Sequence, residues 1–420
     1  MAERLAIDGG KPVRSSRLQA GFHGSSEIGE QEVQAVLDVL GKKRLFRFLE
    51  GDSYAAQLEA FYTERLGCSY ALAVNGGTSA LICGMYGLNL GPGDEVIIPA
   101  HTYVATAAAV IAAGAVPVLC EVDASLNMDP ADLERKITAY TKAVVPVHMR
   151  GVPARMDEIL AIARRHEIAV LEDVAQSNGG TYKGQPLGSL GEVGCFSLQQ
   201  YKIITSGEGG LLLTDDQEIY DRARMQHDCA ARFWEGVGDR SYDFVVSGEN
   251  YRLSELSAAL AVVQCGRLDP LLAHFRSMKA RMTAGIAGID GITLQDIPDP
   301  AGDCGITLTF FLPEPDLAKR FAEALNAENI GCGTIYNKAI PDRHIYSYWP
   351  FMISGLAEPR RAPWHSPFYQ GDVKGYTKDQ CPQTLDLLGR SVMLFIDQSF
   401  GPDEADQVVE GVVKVARALL

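Results

Sequence analysis

The chain has 420 residues, 47% of them hydrophobic and 22% charged, a profile that belongs to a globular protein of two to three domain lengths and excludes a disordered, collagen-like or small disulfide-stapled chain. Its 53 acidic residues outnumber 38 basic ones, a formal charge of -15, so the average surface repels phosphate backbones and anionic lipid; no local basic patch offers nucleic acid a foothold. Nine cysteines show no CxxC pair and no His partner at zinc spacing, so they read as reduced packing thiols, and no metal is expected. The opening MAERLAIDGGKPVR places charges where an export signal needs an apolar stretch, which makes the cytoplasm the expected compartment.

From about residue 54 to 230, apolar runs of strand length alternate with helix-period segments, which predicts an α/β layer on a largely parallel sheet. The strands expected in chain order are YALAV (70–74), EVIIP (95–99), VPVLCEV (116–122), AVVPV (143–147), IAVLED (168–173), VGCFSL (193–198) and GLLLT (210–214). Between them SALICGMYGL, MDEILAIARRHE and DQEIYDRARMQ carry apolar residues three and four apart. The longest apolar run, VATAAAVIAAGAVPVL at 104–119, is cut by Gly114 and Pro117 and is too short for a membrane span; it reads as a small-residue helix leading into a buried strand. Two long helical stretches after Tyr251, RLSELSAALAVVQCGRL and PLLAHFRSMKARM, lead to a second, smaller strand and helix set near 303. The domains expected are 1–275, which includes an N-terminal arm, and 276–420. Residues 334–377 form a Pro and aromatic-rich stretch with weak periodicity.

Four motifs sit at expected strand ends. VNGGTSAL (74–81) is a strand, a glycine turn and a helix start, where free backbone N–H groups and hydroxyls at a positive helix end make a phosphate cradle; alone, its glycines equally serve a tight turn. AHTYVAT (100–106) places Tyr103 at another strand's carboxyl end, as an aromatic plate or as core. EDVAQSNG (172–179) closes an apolar strand with Asp173, facing a ligand crevice or capping a turn. CFSLQQYKIITSGEGG (195–210) delivers Ser197 and, five residues on, Lys202 before a Gly-Glu-Gly-Gly turn, where partial desolvation lowers a lysine pKa and makes an amine nucleophile toward carbonyls. Together, a phosphate cradle, an aromatic plate, a carboxylate and a lysine describe a site for pyridoxal phosphate, which needs a Schiff-base lysine, an acid at its ring nitrogen and phosphate donors.

NGGTSAL, GPGDEVIIPAHTYVATAAAV, EDVAQSNGGTYKGQPLGSLGEVGCFS, GEGG and ENYRLSELSAAL resemble, in sequence and spacing, the DegT/DnrJ/EryC1/StrS aminotransferases, the sugar aminotransferases of fold type I. The resemblance covers nearly the whole chain. It implies a large domain with a mostly parallel seven-stranded sheet and a smaller C-terminal α/β domain. It also implies Lys202 as the Schiff-base lysine, Asp173 as partner of the ring nitrogen, Gln176 beside the 3-hydroxyl oxygen and Tyr103 stacked on the ring. Gly77, Thr78 and Ser197 correspond to phosphate ligands, and Asn250 to an asparagine that reaches the phosphate from the partner subunit of a homodimer with shared sites. The family's Ser-Gly-Thr-Ala is Gly76-Gly77-Thr78-Ser79 here, which loses one hydroxyl and brings Ser79 in as a further candidate ligand. Where the family often has Tyr, HMRG has Arg150.

An amino-acid donor such as glutamate or glutamine and a sugar or cyclitol carbonyl are the substrates the resemblance implies. VVPVHMRGVPARMDEI and IPDPAGDCGITLTFFLP are similar to the branch that aminates an 8-oxo octulosonate sugar, and LAIDGGKPVR is similar to the cyclitol and amino-shikimate branch, so the acceptor stays open. Aromatics of 334–377, among them Tyr336, Tyr346, Phe351, Trp364 and Tyr376, stack on a sugar or cover the small domain. His344, Tyr348, Trp349 and His365 are the acceptor candidates; Arg150 and Arg252 are the candidate carboxylate clamps, with Arg150 the expected one. Rival readings are a dehydratase or aromatising synthase of the same family and a non-enzymatic cofactor-binding regulator. The dehydratases carry His in place of the lysine, and Lys202 argues against them.

Overall fold

The structure, a computed structural model, describes residues 4–18, 23–49, 52–231, 245–335, 341–353 and 358–420. The seven apolar runs become β1 (Tyr70–Val74), β2 (Glu95–Pro99), β3 (Val116–Cys120), β4 (Thr141–Val144), β5 (Ala169–Asp173), β8 (Val193–Ser197) and β9 (Gly210–Thr214), with a short hairpin of β6 (Thr181–Tyr182) and β7 (Gln185–Pro186) between β5 and β8. They form one sheet in the order β1-β9-β8-β5-β4-β2-β3. All pairings are parallel except those of β9, which runs antiparallel to both β1 and β8. The carboxyl ends of the other six strands therefore share one edge.

Both faces of this sheet are covered, which is why its strands read as continuous apolar runs and not as alternation. Ala71, Ala73 and Ile97 enter one core cluster and Leu72, Val74, Val96 and Ile98 the other. Helices Tyr54–Leu66 and Met156–His166 pack in the first cluster and Gly77–Gly87 and Ala105–Ala112 in the second. Helix Gly77–Gly87 lies close to the sheet because Gly84 has no side chain: a Cβ there would stand 2.7 Å from Leu171 Cδ1.

The aromatic stretch also belongs to the second cluster. Tyr346, Trp349, Trp364 and Tyr376 are buried with Val96, Ile98 and Val116, and short 3-10 turns at Tyr346–Tyr348, Pro359–Arg361 and Pro363–His365 replace regular helix. Most of these rings thus cover a face of the large sheet, not the small domain. Tyr336 lies outside the described residues.

Helices Glu255–Cys265 and Leu268–Ile286 lead to a four-stranded antiparallel sheet, ordered β10-β11-β13-β12 from β10 (Thr293–Leu294), β11 (Thr307–Phe311), β12 (Cys332–Gly333) and β13 (Ser391–Phe395). Helices Leu268–Ile286 and Pro315–Ala327 pack on it, and Pro402–Leu419 packs on those two helices. The N-terminal arm docks on this second unit: buried Glu328 accepts the N–H groups of Ala6 and Val13 at 2.8 and 2.9 Å and pairs with buried Lys414 at 2.9 Å. The nine cysteines are free thiols. No single described helix is long and apolar enough to cross a membrane.

Candidate active site

Where the parallel strands end, the chain opens a cavity of about 760 Å³, the place at which open α/β sheets bind ligands. Five of the six parallel strand ends contribute to it, all but that of β3: Gly76, Gly77 and Thr78 after β1, Tyr103 after β2, Arg150 after β4, Asp173 and Gln176 from β5, and Ser197 and Lys202 from β8.

Asp173, the last residue of β5, is buried. Its Oδ1 accepts the Ala175 N–H at 3.0 Å and its Oδ2 the Thr106 hydroxyl at 2.9 Å. Thr106 in turn lies 2.7 Å from the Thr102 hydroxyl. Since Thr106 gives its only hydroxyl proton to Asp173, Thr102 must donate to Thr106. Burial raises the Asp173 pKa, and the two hydrogen bonds and the charge of Lys202 oppose that rise.

On the opposite side of β5, Glu172 accepts the N–H groups of Gly188, Leu190 and Gly191 at 2.7 to 2.9 Å and faces His148 Nε2 at 3.0 Å. His148 Nδ1 accepts the Ala154 N–H at 3.0 Å, so the imidazole proton sits on Nε2 and is donated to Glu172. The loops on either side of Asp173 are thereby tied to the strand that carries it.

Lys202 occupies a turn after β8, its N–H donating to the Gln199 carbonyl at 2.9 Å and its carbonyl accepting the Gly24 N–H at 3.1 Å. Lys202 lines the cavity. Desolvation lowers its pKa to about 8; Asp173 and Glu208 pull it up and Arg150 pushes it down. An amine of this pKa is about one-tenth unprotonated at pH 7, far more than an ordinary surface lysine, and the free amine is the form that can attack a carbonyl.

The phosphate-cradle motif has the expected shape. Helix Gly77–Gly87 begins with no side-chain cap, so the N–H groups of its first turn have no partner within the helix. A Cβ on Gly77 would lie 2.7 Å from Ser197 Cβ; glycine lets the helix start meet the end of β8, which brings the Ser197 hydroxyl to the positive helix end. Ser79 is not among the cavity-lining residues: its hydroxyl donates back to Asn75 Oδ1 at 2.6 Å.

Tyr103 is 37% exposed, with its ring centre 5.2 Å from that of His344. Gln176 accepts the Arg150 N–H on Oε1 at 3.2 Å. His344 lines the cavity with Asp342 and Arg343, on a segment fastened to the β2 loop by the Arg343 carbonyl, which accepts the Val104 N–H at 2.9 Å and Trp349 Nε1–H at 3.0 Å.

Other expected acceptor residues lie elsewhere. Trp349 is buried core, its indole spent on that carbonyl. Tyr348 and His365 are exposed and do not line the cavity, because the 3-10 turns that carry them aim them outward. Arg252 lies outside this chain's cavity: it pairs with Asp228 and stacks over Phe46, 5.4 Å from the ring centre. Asn250 is exposed, outside this chain's cavity, with Oδ1 accepting the Arg252 N–H at 3.3 Å.

Several wall residues escaped the sequence reading. Thr307 and Phe395 come from the second sheet and Ile306 from the residue before it, far away in the chain, and nothing local marks them. Thr106 was legible in HTYVAT, since it follows Thr102 by one helical turn, and Glu208 lies within GEGG.

A buried carboxylate, a low-pKa lysine, a half-exposed aromatic ring and an uncapped helix start, all on one cavity, fit the ring nitrogen, aldehyde, ring face and phosphate of pyridoxal phosphate. The family model described as the DegT/DnrJ/EryC1/StrS aminotransferase family matches residues 26–349. The chain belongs to this family. It is accordingly an aminotransferase, of a family dependent on pyridoxal phosphate. The L-glutamine:scyllo-inosose aminotransferase of Streptomyces griseus is 34% identical over 342 residues, covering 78% of this chain and 80% of that one. The spore coat polysaccharide biosynthesis protein SpsC of Bacillus subtilis is 30% identical over 400 residues, 93% of this chain and 95% of the relative. Among solved structures, an aminotransferase from Psychrobacter cryohalolentis superposes with a TM-score of 0.78 at 26% identity, covering 93% of this chain and 98% of that one.

Proposed function

We propose that this aminotransferase moves the amino group of glutamine or glutamate to the carbonyl of a keto sugar or ketocyclitol, with Lys202 as the cofactor-linked lysine and proton carrier. The observation that carries this reading is the meeting of Lys202 and Asp173 in one cavity with the glycine-lined helix start. Bound pyridoxal phosphate supplies an electron sink for the charge that develops at the reacting carbon. Asp173, whose carboxylate form the hydrogen bonds from Ala175 and Thr106 favour against burial, would keep the proton on the ring nitrogen. Lys202 would hold the cofactor and, as a free amine, would serve as general base and acid for the proton at the reacting carbon, a task suited to a pKa near the working pH. Gly77, Thr78 and Ser197 would bind the phosphate, Tyr103 would stack on the ring, and Gln176 would lie on the side of the 3-hydroxyl.

The donor and acceptor classes rest on the relatives: one is named for glutamine and scyllo-inosose and another for polysaccharide biosynthesis. Lys202 in place of His favours transamination over dehydration.

The functional unit of this proposal is a homodimer with shared sites. Val33, Leu37 and Leu40 on helix Glu30–Lys42, with Leu45, Phe46 and Leu49 after it, are each about half exposed. Such an apolar stripe marks a protein interface, and it adjoins Asn250 through the contact of Phe46 with Arg252. The partner's cavity is where Asn250 would act.

In the test, L-glutamine added to cofactor-loaded enzyme without acceptor bleaches the long-wavelength cofactor band, and scyllo-inosose or a keto sugar restores it. No bleaching with glutamine or glutamate refutes transamination. Restoration by pyruvate or oxaloacetate faster than by any sugar or cyclitol refutes the acceptor class.

A further inference from the structure

Arg150 occupies the turn after β4 with φ 54° and ψ 33°, a left-handed conformation that few non-glycine residues adopt. Three contacts hold it there. Its N–H donates to Gln176 Oε1 at 3.2 Å, its carbonyl accepts the Thr307 hydroxyl at 2.9 Å, and its guanidinium carbon lies 5.2 Å from the ring centre of Phe395. The last two partners come from the second sheet, so both units aim this side chain at the cavity.

The charge it brings is unanswered. Arg150 Nε is buried without a hydrogen-bond partner, and among the described residues no carboxylate lies within ion-pair distance of the guanidinium. Asp342 attracts it only from farther off, and that carboxylate already accepts the His344 N–H and Nδ1–H at 3.0 and 2.9 Å. A guanidinium does not shed its proton, and a buried charge without a partner is destabilising until one arrives. Its planar fork, backed by an apolar ring, matches a carboxylate. The phosphate cradle stands on β1 and β8, so the cofactor phosphate is provided for elsewhere.

We propose that Arg150 is the carboxylate anchor of the cavity and seats the acid group of a substrate beside Lys202. The proposal deepens the reading above and rests on its assignment of Lys202. The acid is either the α-carboxylate of the amino donor or an acid group on the carbonyl acceptor, since both pass through this one cavity. Arg150 also lowers the Lys202 pKa, so a bound carboxylate cancels a field at the reacting nitrogen.

The probe is glutarate, an unreactive dicarboxylate, titrated into cofactor-loaded enzyme while the protonation of the Lys202-linked nitrogen is followed by absorbance against pH. In the native enzyme glutarate raises the midpoint by about one pH unit. In Arg150→Met the midpoint starts higher and glutarate no longer moves it. Arg150→Lys, which keeps the charge and loses the fork, retains the low midpoint with a weaker response, and so separates anchoring from misfolding. No glutarate response in the native enzyme, or an equal response in Arg150→Met, overturns the proposal. Bleaching by L-glutamine then names the source: at least a tenfold rise in its half-saturating concentration in Arg150→Met makes the acid the donor's, and an unchanged value with the glutarate response lost makes it the acceptor's. A native enzyme that responds to glutarate but is bleached by neither glutamine nor glutamate keeps the anchor and refutes the transamination reading.

Discussion

On our proposal Asp173 must be buried to exclude water from the ring nitrogen and ionised to hold its proton, and burial alone works against ionisation. The hydrogen bonds from Ala175 and from Thr106, which Thr102 orients, oppose the rise that burial causes. Thr106→Val removes one charge-assisted hydrogen bond, worth about 1.5 to 3 kcal/mol, so we expect roughly a ten- to hundredfold loss in kcat. The activity that depends on ionised Asp173 is lost as pH falls through its pKa; the variant moves that acid limb to higher pH, and Thr106→Ser moves it back. Asp173→Asn should keep the fold and lose several orders of magnitude in rate, and near-normal turnover would remove the ring anchor from β5. For Lys202 the expected outcome concerns the apoenzyme: only the free amine reacts, so the rate of cofactor attachment rises with pH and levels off above a midpoint near 8, where an unshifted lysine would still be climbing. Stopped-flow reconstitution across pH 6 to 10 measures it. The residues legible in the sequence, Asp173, Lys202, Gly77, Ser197 and Tyr103, all sit within a few positions of a strand end. That Trp349, Tyr348 and His365 lie outside this chain's cavity was not legible, because aromatic or imidazole chemistry says nothing of which side of an irregular turn the side chain leaves.

The strands were readable because two covered sheet faces demand unbroken apolar runs, and their ends were less so. Glu121 and Val122 continue the pattern of β3 after the chain has left the sheet at Cys120, and β4 starts at Thr141, ahead of its apolar run. The reversal of β9 was invisible, since a fully buried strand reads alike in either direction. Helix Gly77–Gly87 shows what an element's first residue can decide. Alanine at Gly77 gains at most about 1 kcal/mol of helix propensity, but its Cβ meets Ser197 at 2.7 Å, an overpacking that costs about 1 to 3 kcal/mol. We therefore expect Gly77→Ala to fold and to bind pyridoxal phosphate at least tenfold more weakly, as followed by fluorescence titration. Affinity equal to the native enzyme would show that the cradle does not need that close approach.

At the scale of the molecule, the site joins a wall from the second sheet to residues at the strand ends of the first, and on our proposal takes Asn250 from a second copy. Leu37→Glu, in the exposed apolar stripe, should then yield monomers of low activity by sedimentation. Mixing inactive Asn250→Ala and Lys202→Ala enzymes should restore part of the activity through hybrid dimers; an active monomer, or no recovery despite subunit exchange, would contradict shared sites. All of this depends on where the cofactor is attached. Reduction of the loaded enzyme with borohydride, digestion and mass spectrometry test that most directly: the account predicts the pyridoxyl group on the peptide carrying Lys202 and its absence in Lys202→Ala, and a stable adduct on any other lysine, or none in the native enzyme, would contradict it.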